Sequence, residues 1–520
     1  MEAALFASER ARARNLLDLL NEAQADIHRG VLHGVAGRNR QLEQEINVLS
    51  QSLLRLRNLK RTEDAVAVED RLSRLLTEYD DLQAKVKALN VSYADLSQPQ
   101  PLRPREVQQL LDDDTLLLEY ALGEGRSYLW AVTRTAIKSY TLPGQAEIEK
   151  AAAQLRATIT AYELPRSGES NMQYLARLRK ANTQYPQQAL ELSRMVLGPI
   201  SSQLGDKRLV IIPDGALQYI PFEALPMPGT ANRKQTAVDA IGHMPLLLDH
   251  EIVYQPSAST LALLRGTRRQ RGDKMVAVLA DPVFDSKDDR VLAAVGGSNI
   301  VKTPRSWPTE LSRSLRDVGD VGGVEYGLER LRHSAEEANA IIAMAPAGSW
   351  MKAVDFKASR ATAVSPNLAQ FNIVHFATHG ILNDKHPELS GIVLSMVNER
   401  GQPEDGFLRL RDIYNLNLPV DLVVLSACRT GIGKQVRGEG LIGLTRGFMY
   451  AGASRVVASL WKVDDEATAE LMKRFYRYML EKKMAAAAAL RQAQIEMMNA
   501  REQWRAPYYW AGFVLQGDWK

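Results

Sequence analysis

Asp421-Leu-Val-Val-Leu-Ser-Ala-Cys428-Arg-Thr-Gly431 decides the reading of this chain. Its apolar run has the length and continuity of a strand covered on both faces. The only cysteine among 520 residues follows that run directly. Upstream, Phe371-Asn-Ile-Val-His-Phe-Ala-Thr378 is a second such run and leads into His379-Gly380. In open parallel α/β sheets the ligand crevice lies beyond the carboxyl ends of the strands, so both residues are expected there. A lone cysteine is by default a small buried hydrophobe. A thiol with an imidazole able to take its proton becomes a nucleophile instead. The pair His379 and Cys428 therefore points to a cysteine hydrolase. Each is followed by glycine, Gly380 and then Thr430-Gly431-Ile432-Gly433, where the chain is expected to turn tightly.

Outward from this pair the same alternation repeats. Continuous apolar runs at 208–212, 275–280, 371–377, 422–426, 455–460 and 513–516 are predicted strands. Helices are predicted at 334–345, 440–451, 466–481 and 484–500. Strand and helix in turn argue for an α/β fold, a doubly wound, mostly parallel sheet over residues 206–520. Residues 284–327 interrupt the pattern with glycines and charges, and read as a long functional loop.

Before it, residues 98–205 read as a linker and a small α/β lobe. Three prolines between Ser97 and Pro104 break any helix. A hairpin turning at Gly123 and Gly125, a third strand at 137–142 and helices over 145–200 follow. Residues 1–97 read as a helical hairpin region. Leu42, Ile46, Leu49, Leu53 and Leu56 form one heptad seam, and Leu72, Leu75, Tyr79, Leu82, Val86 and Leu89 another. That hairpin either packs against its neighbour or binds a regulatory protein partner.

Composition excludes several classes. Lys and Arg number 65 against 61 Asp and Glu, a net charge of +4, so no bulk field favours nucleic acid or membrane. One cysteine forbids an internal disulfide and fits a reducing, cytoplasmic setting. No apolar stretch reaches the roughly 20 residues of a membrane span. The eight histidines have no cysteine partners and no helical pair at ligand spacing, so no metal or other cofactor is expected. Gly431-Ile-Gly-Lys434-Gln lacks the spacing and the Ser or Thr of a phosphate-binding loop. Arg437-Gly-Glu439-Gly reads as a turn beside the active-site floor, and Arg429 as either an aid to the thiolate or half of an ion pair.

Several ordered motifs resemble one family. They are Val210-Ile-Ile-Pro-Asp-Gly-Ala-Leu-Gln-Tyr-Ile-Pro-Phe-Glu-Ala-Leu-Pro226, His375-Phe-Ala-Thr-His379-Gly380, Ser426-Ala-Cys-Arg-Thr-Gly431, Arg437-Gly-Glu-Gly-Leu441 and Ser459-Leu-Trp-Lys-Val-Asp464-Asp465. Over residues 115–520 the chain resembles the CHAT domain, a caspase-like and separase-like group of cysteine proteases often joined to tetratricopeptide repeats in bacteria. No 34-residue repeat is recognisable here.

The resemblance implies a cysteine endopeptidase with His379 as general base and Cys428 as nucleophile. Its oxyanion hole would be the backbone amides of Gly380 and Cys428, and its substrate a protein. Separases carry a similar Leu-Trp followed by Asp, with an acidic residue that receives an arginine. By that analogy Asp465, or Asp464, would bind a basic side chain, whereas by position either could simply cap the next helix. His375 is expected to be a hydrogen-bonded core histidine. Arg290, Arg305, Arg313 and Arg316 make the 284–327 loop a candidate lid or autocleavage segment. The rival readings are a catalytically silent scaffold that binds protein partners, and a small-molecule hydrolase or acyltransferase.

Overall fold

Runs such as Leu209-Val-Ile-Ile212 and Val456-Val-Ala-Ser459 are β-branched and apolar on both faces, a composition that a pleated sheet between two helix layers accommodates. The computed structural model describes residues 3–12, 102–165, 168–228, 244–266, 272–294, 309–318, 328–383, 386, 389–431 and 439–520, together with residues 42, 45, 49, 68, 71, 74, 75 and 78; the side chains of residues 309, 316–318, 427–431 and 439–442 lie outside that set. Among the described residues one sheet has thirteen strands. They are β1 (Thr115–Ala121), β2 (Ser127–Val132), β3 (Ile137–Leu142), β4 (Arg208–Ile212), β5 (Ile252–Tyr254), β6 (Lys274–Ala280), β7 (Trp350–Val354), β8 (Phe371–Asn383), β9 (Gly391–Val393), β10 (Phe407–Arg409), β11 (Leu422–Gly431), β12 (Arg455–Ser459) and β13 (Phe513–Gly517).

Their spatial order is β10-β9-β8-β11-β12-β13-β5-β4-β1-β2-β3, with β6 pairing β7 and β8. The sheet contains two parallel blocks. β7, β6, β8, β11 and β12 run one way, while β13, β5, β4 and β1 are parallel to one another. The blocks meet where β12 and β13 pair antiparallel. The ladder crosses residue 205 without a break, because β1 pairs β4 in parallel from Thr115↔Arg208 to Glu119↔Ile212. Residues 115–142 are thus an extension of the main sheet rather than a lobe leaning on it.

The helices that matter to the site are α1 (residues 3–12), α2 (Gln145–Ile159), α3 (Asn171–Val196), α4 (Ala258–Gly266), α5 (Thr309–Val318), α6 (Arg332–Ala343), α7 (Glu439–Ala451), α8 (Asp465–Tyr476) and α9 (Ala486–Ala500). Consecutive residues of a strand face opposite ways. His375 meets Tyr476 of α8 and Glu337 of α6, whereas Phe376 packs on Phe448 of α7. The helices therefore cover both faces of β8. Residues 284–327 are not structureless: they hold a short helix at Asp289–Ala294 and α5, whose Leu311 and Leu315 are buried with Phe284, Ile381 and Val393. Arg290 is held rather than loose, since it pairs with Asp281, Asp288 and Asp355. Arg305 lies outside the described residues.

The chain divides into two units, residues 1–19 with 101–520, and residues 20–100. In the first, the buried Glu9 of α1 accepts the amides of Ala258 at 3.0 Å and Ser259 at 2.9 Å, and so caps α4. In the second, the described residues are helical and Leu42 and Leu75 are buried; most other members of the two seams lie outside the described residues. Among the described residues no helix is long and apolar enough to cross a membrane.

The 210–226 motif is a buried turn. Phe222, Glu223, Ala224 and Leu225 are all inside, and the Tyr254 hydroxyl donates to Glu223 at 2.6 Å. Burial raises the Glu223 carboxyl to about 7 against the hydrogen bond from Tyr254. Its folded value exceeds the unfolded one, so between 4.5 and about 7 the folded state retains a proton that the unfolded state has released. Stability from this group falls as pH rises through that window. Glu223→Gln still accepts from Tyr254 and removes the titration. Urea unfolding across the window is expected to move the variant up relative to wild type by as much as about 3 kcal/mol; parallel pH profiles would show that Glu223 stays ionised.

Candidate active site

The strands β6, β8, β11 and β12 are parallel neighbours, so their carboxyl ends share one edge. β6 stops before Asp281, β8 carries His379 and Gly380, β11 carries Cys428, and β12 stops shortly before Asp464 and Asp465. The register pairs Ala427 with His379 and Cys428 with Gly380. Between Leu425↔Phe376 and Ala427↔His379, β8 has one more residue than β11, a bulge. A bulge shifts the alternation of side chains along a strand. His375 consequently looks onto α6 and α8, while His379, four residues on, meets Phe284 with ring centroids 5.2 Å apart.

The tight turn expected at Gly380 is absent, and the one expected over 430–433 falls partly outside the described residues. β8 and β11 continue side by side to Asn383 and Gly431. Ile381 and Leu382 are 0% and 1% exposed, and burying them keeps the strand extended where a turn would have brought them to solvent. Residues 432–438, which include Lys434 and Arg437, lie outside the described residues, as does the side chain of Arg429.

His379 is 8% exposed. Its Nε2 lies 2.7 Å from the carbonyl oxygen of Glu329. A carbonyl only accepts, so Nε2 carries the proton and, in the neutral ring, Nδ1 holds the lone pair. Glu329 belongs to the short stretch leading into α6, and its neighbour Arg330 makes a two-point contact with Asp281.

His375 is a core residue, as its place inside the strand predicts. It is fully buried, with Nδ1 3.0 Å from the Tyr476 hydroxyl. Burial and the Glu337 charge push that hydroxyl well above its ordinary range, so it remains a donor. His375 Nε2 is 2.8 Å from Glu337 Oε1 but poorly aligned for a hydrogen bond. The same carboxylate oxygen accepts from Ser426 at 2.6 Å. This buried cluster ties β8 and β11 to α6 just below the edge.

The two aspartates have different jobs. Asp464 is the N-cap of α8, accepting the Ala467 amide at 2.9 Å. Asp465 instead reaches across to α6 and accepts the His333 amide at 2.9 Å. Burial holds the Asp465 carboxyl above its usual range, opposed by that amide and by the His333 ring. A desolvated carboxylate at this edge suits a cationic group, and it is joined through residues 329–333 to the carbonyl that orients His379. Sequence reasoning missed Glu329, Arg330 and Asp281. Asp281 directly follows the apolar run of β6, as His379 and Cys428 follow apolar runs in the sequence, and that placement could have drawn it in. A backbone carbonyl leaves no such mark.

Among the described residues no group of three or more His, Cys, Asp or Glu is placed to hold a metal ion. Residues 187–518 match the family described as CHAT domain. The chain belongs to the CHAT-domain family. It is 38% identical over 111 residues to tetratricopeptide repeat protein 28 of Homo sapiens, a match covering 21% of this chain and 4% of that protein. The Mus musculus protein of the same name is 36% identical over 111 residues, with the same coverage. The match thus spans a small fraction of those relatives. Among solved structures, a Saccharomyces cerevisiae separase–securin complex aligns with 88% of this CHAT chain and 34% of its own at 10% identity and a TM-score of 0.43. The Arg-specific cysteine proteinase gingipain R aligns with 72% of this chain and 74% of its own at 10% identity and a TM-score of 0.34.

Proposed function

We propose that this CHAT chain is a cysteine endopeptidase acting through His379 and Cys428 and cleaving after a basic residue. The observation that carries the reading is the pairing of β8 with β11, which brings His379 and Cys428 onto neighbouring strands one residue apart in register on the carboxyl edge of a parallel block; because side chains alternate along a strand, the ladder must part at this end for the two to face one another. The Glu329 carbonyl adds a reason for His379 to be a base at Nδ1. In this mechanism Nδ1 takes the thiol proton and the sulfur attacks the scissile carbonyl carbon. The carbonyl oxygen becomes an oxyanion received by the amides of Gly380 and Cys428. These amides lie within paired strands, so the end of the ladder must part to admit the substrate. Collapse breaks the C–N bond, and the imidazolium returns its proton to the leaving amine. Water, deprotonated by the same nitrogen, then hydrolyses the thioester. Asp465 would receive the basic side chain before the bond, and α5, packed by Leu311 and Leu315 against Phe284 beside His379, suits a lid. Residues 1–97 would take a regulatory protein partner.

The test is covalent labelling. With one cysteine in the chain, intact mass reports on Cys428 alone. A peptidyl ketone electrophile ending in Arg is expected to label wild type faster than its non-peptidic parent, and to label His379→Ala slowly. Equal rates for the two reagents would favour a scaffold or a small-molecule enzyme.

A further inference from the structure

Residues 328–333 lead into α6 without regular structure, yet nearly every one of them is held. Leu328 packs on the cluster of Phe284, Leu311, Leu315 and Ile381. The Glu329 carbonyl accepts from His379. Arg330 donates Nε to Asp281 Oδ1 at 2.9 Å and Nη2 to Oδ2 at 2.6 Å. Ser334 ties the same place twice, accepting the Asp281 amide at 3.1 Å and donating to the Leu331 carbonyl at 2.6 Å.

Asp281 is an unusual anchor. Its φ of +48° is left-handed, a conformation that side-chain-bearing residues seldom adopt without support. Its carboxylate is 3% exposed, and a buried carboxylate is tolerated only when paired. Arg290 supplies one charge, 3.1 Å from Oδ1, and also donates to the Asp281 carbonyl at 2.6 Å. What Arg330 adds is geometry: a planar fork on both oxygens fixes direction as well as charge. Glu329 and Arg330 share a peptide unit, so holding one aims the carbonyl of the other. Both residues are otherwise exposed, so the clamp on Asp281 is what anchors this stretch among the described residues.

We infer that Arg330, clamped on Asp281, is a positioning residue that holds the Glu329 carbonyl on His379 and so sets the imidazole's tautomer and aim toward Cys428. This rests on the dyad of the proposed function. Without the clamp the carbonyl loses its fixed direction, the ring rotates, and the thiolate–imidazolium pair is populated less.

The experiment follows iodoacetamide alkylation of Cys428 across pH, and peptide cleavage, in wild type, Arg330→Gln, Arg330→Lys, Asp281→Asn and His379→Ala. Arg330→Gln is expected to lower kcat by about tenfold to a hundredfold with little change in KM, as misaimed catalytic groups do. Its alkylation profile is expected to move to higher pH while its denaturant midpoint stays near wild type. Asp281→Asn should share both changes. Arg330→Lys should recover only part of the loss, because a point charge cannot replace a fork; it keeps the neutralising charge and carries the comparison should Arg330→Gln not fold. Wild-type kcat and alkylation in the Arg330 variants, with His379→Ala slowed, would overturn the inference alone. A His379→Ala protein alkylated like wild type at every pH would overturn the dyad and the inference together.

Discussion

Cys428→Ala and His379→Ala are each expected to lower peptide cleavage by at least about a thousandfold, and the double variant to lose little more, because nucleophile and base act as one unit. The basis is the strand register that puts Ala427 and Cys428 against His379 and Gly380 at the carboxyl edge of the parallel block. The two replacements differ in what else they disturb. His379→Ala also removes a ring packed on Phe284 and the hydrogen bond to the Glu329 carbonyl, so residues 328–333 lose a contact. Its denaturant midpoint should fall slightly. Cys428→Ala deletes one sulfur from a strand whose backbone pairing needs no side chain, and should unfold like wild type. Measuring cleavage and unfolding together separates chemistry from folding. Cleavage that persists in purified Cys428→Ala protein would sink the assignment.

The strands around this site were legible because each is apolar on both faces and long enough to show it. β4, β6, β11, β12 and β13 begin within a residue of where the apolar runs begin. What local pattern does not carry is pairing. Nothing in Leu116-Leu-Leu118 says that it lies beside Leu209-Val-Ile211, and that contact makes residues 115–142 part of the main sheet. β5, β9 and β10 have three residues each, too few to show a period. The sequence pattern ends β8 near residue 377 because Gly380 reads as a turn; burial of Ile381 and Leu382 outweighs that local preference. The 284–327 segment hid α5 behind its charges, although Leu311 and Leu315 are four apart as on one helix face. At the site, the thiol and the imidazole declared themselves by residue type and strand-end position. The Glu329 carbonyl that orients the imidazole belongs to the backbone and could not.

Specificity gives the second large effect, and it turns on Asp465. A desolvated carboxylate that takes the side chain before the scissile bond should favour a cation by a charge-assisted hydrogen bond of roughly 1.5 to 3 kcal/mol, about ten- to a hundredfold in kcat/KM. Arg should exceed Lys, since a planar guanidinium can meet the carboxylate with two donors. Asp465 also accepts the His333 amide, and through that contact it steadies the segment whose Glu329 carbonyl orients His379. Asp465→Ala would therefore confuse pocket with scaffold, cutting all substrates alike. Asp465→Asn is the cleaner change: its amide oxygen can still accept from His333, while the charge is gone. Matched peptides ending in Arg, Lys, Leu or Asp, cleaved by wild type and by Asp465→Asn, then give a pattern. Loss confined to Arg and Lys, with Leu unchanged, is the signature of the pocket. A variant that keeps the wild-type preference for Arg, or a wild type that prefers Leu or Asp, would make Asp465 a cap for α6 and nothing more, leaving Asp464 no better placed because its carboxylate already caps α8.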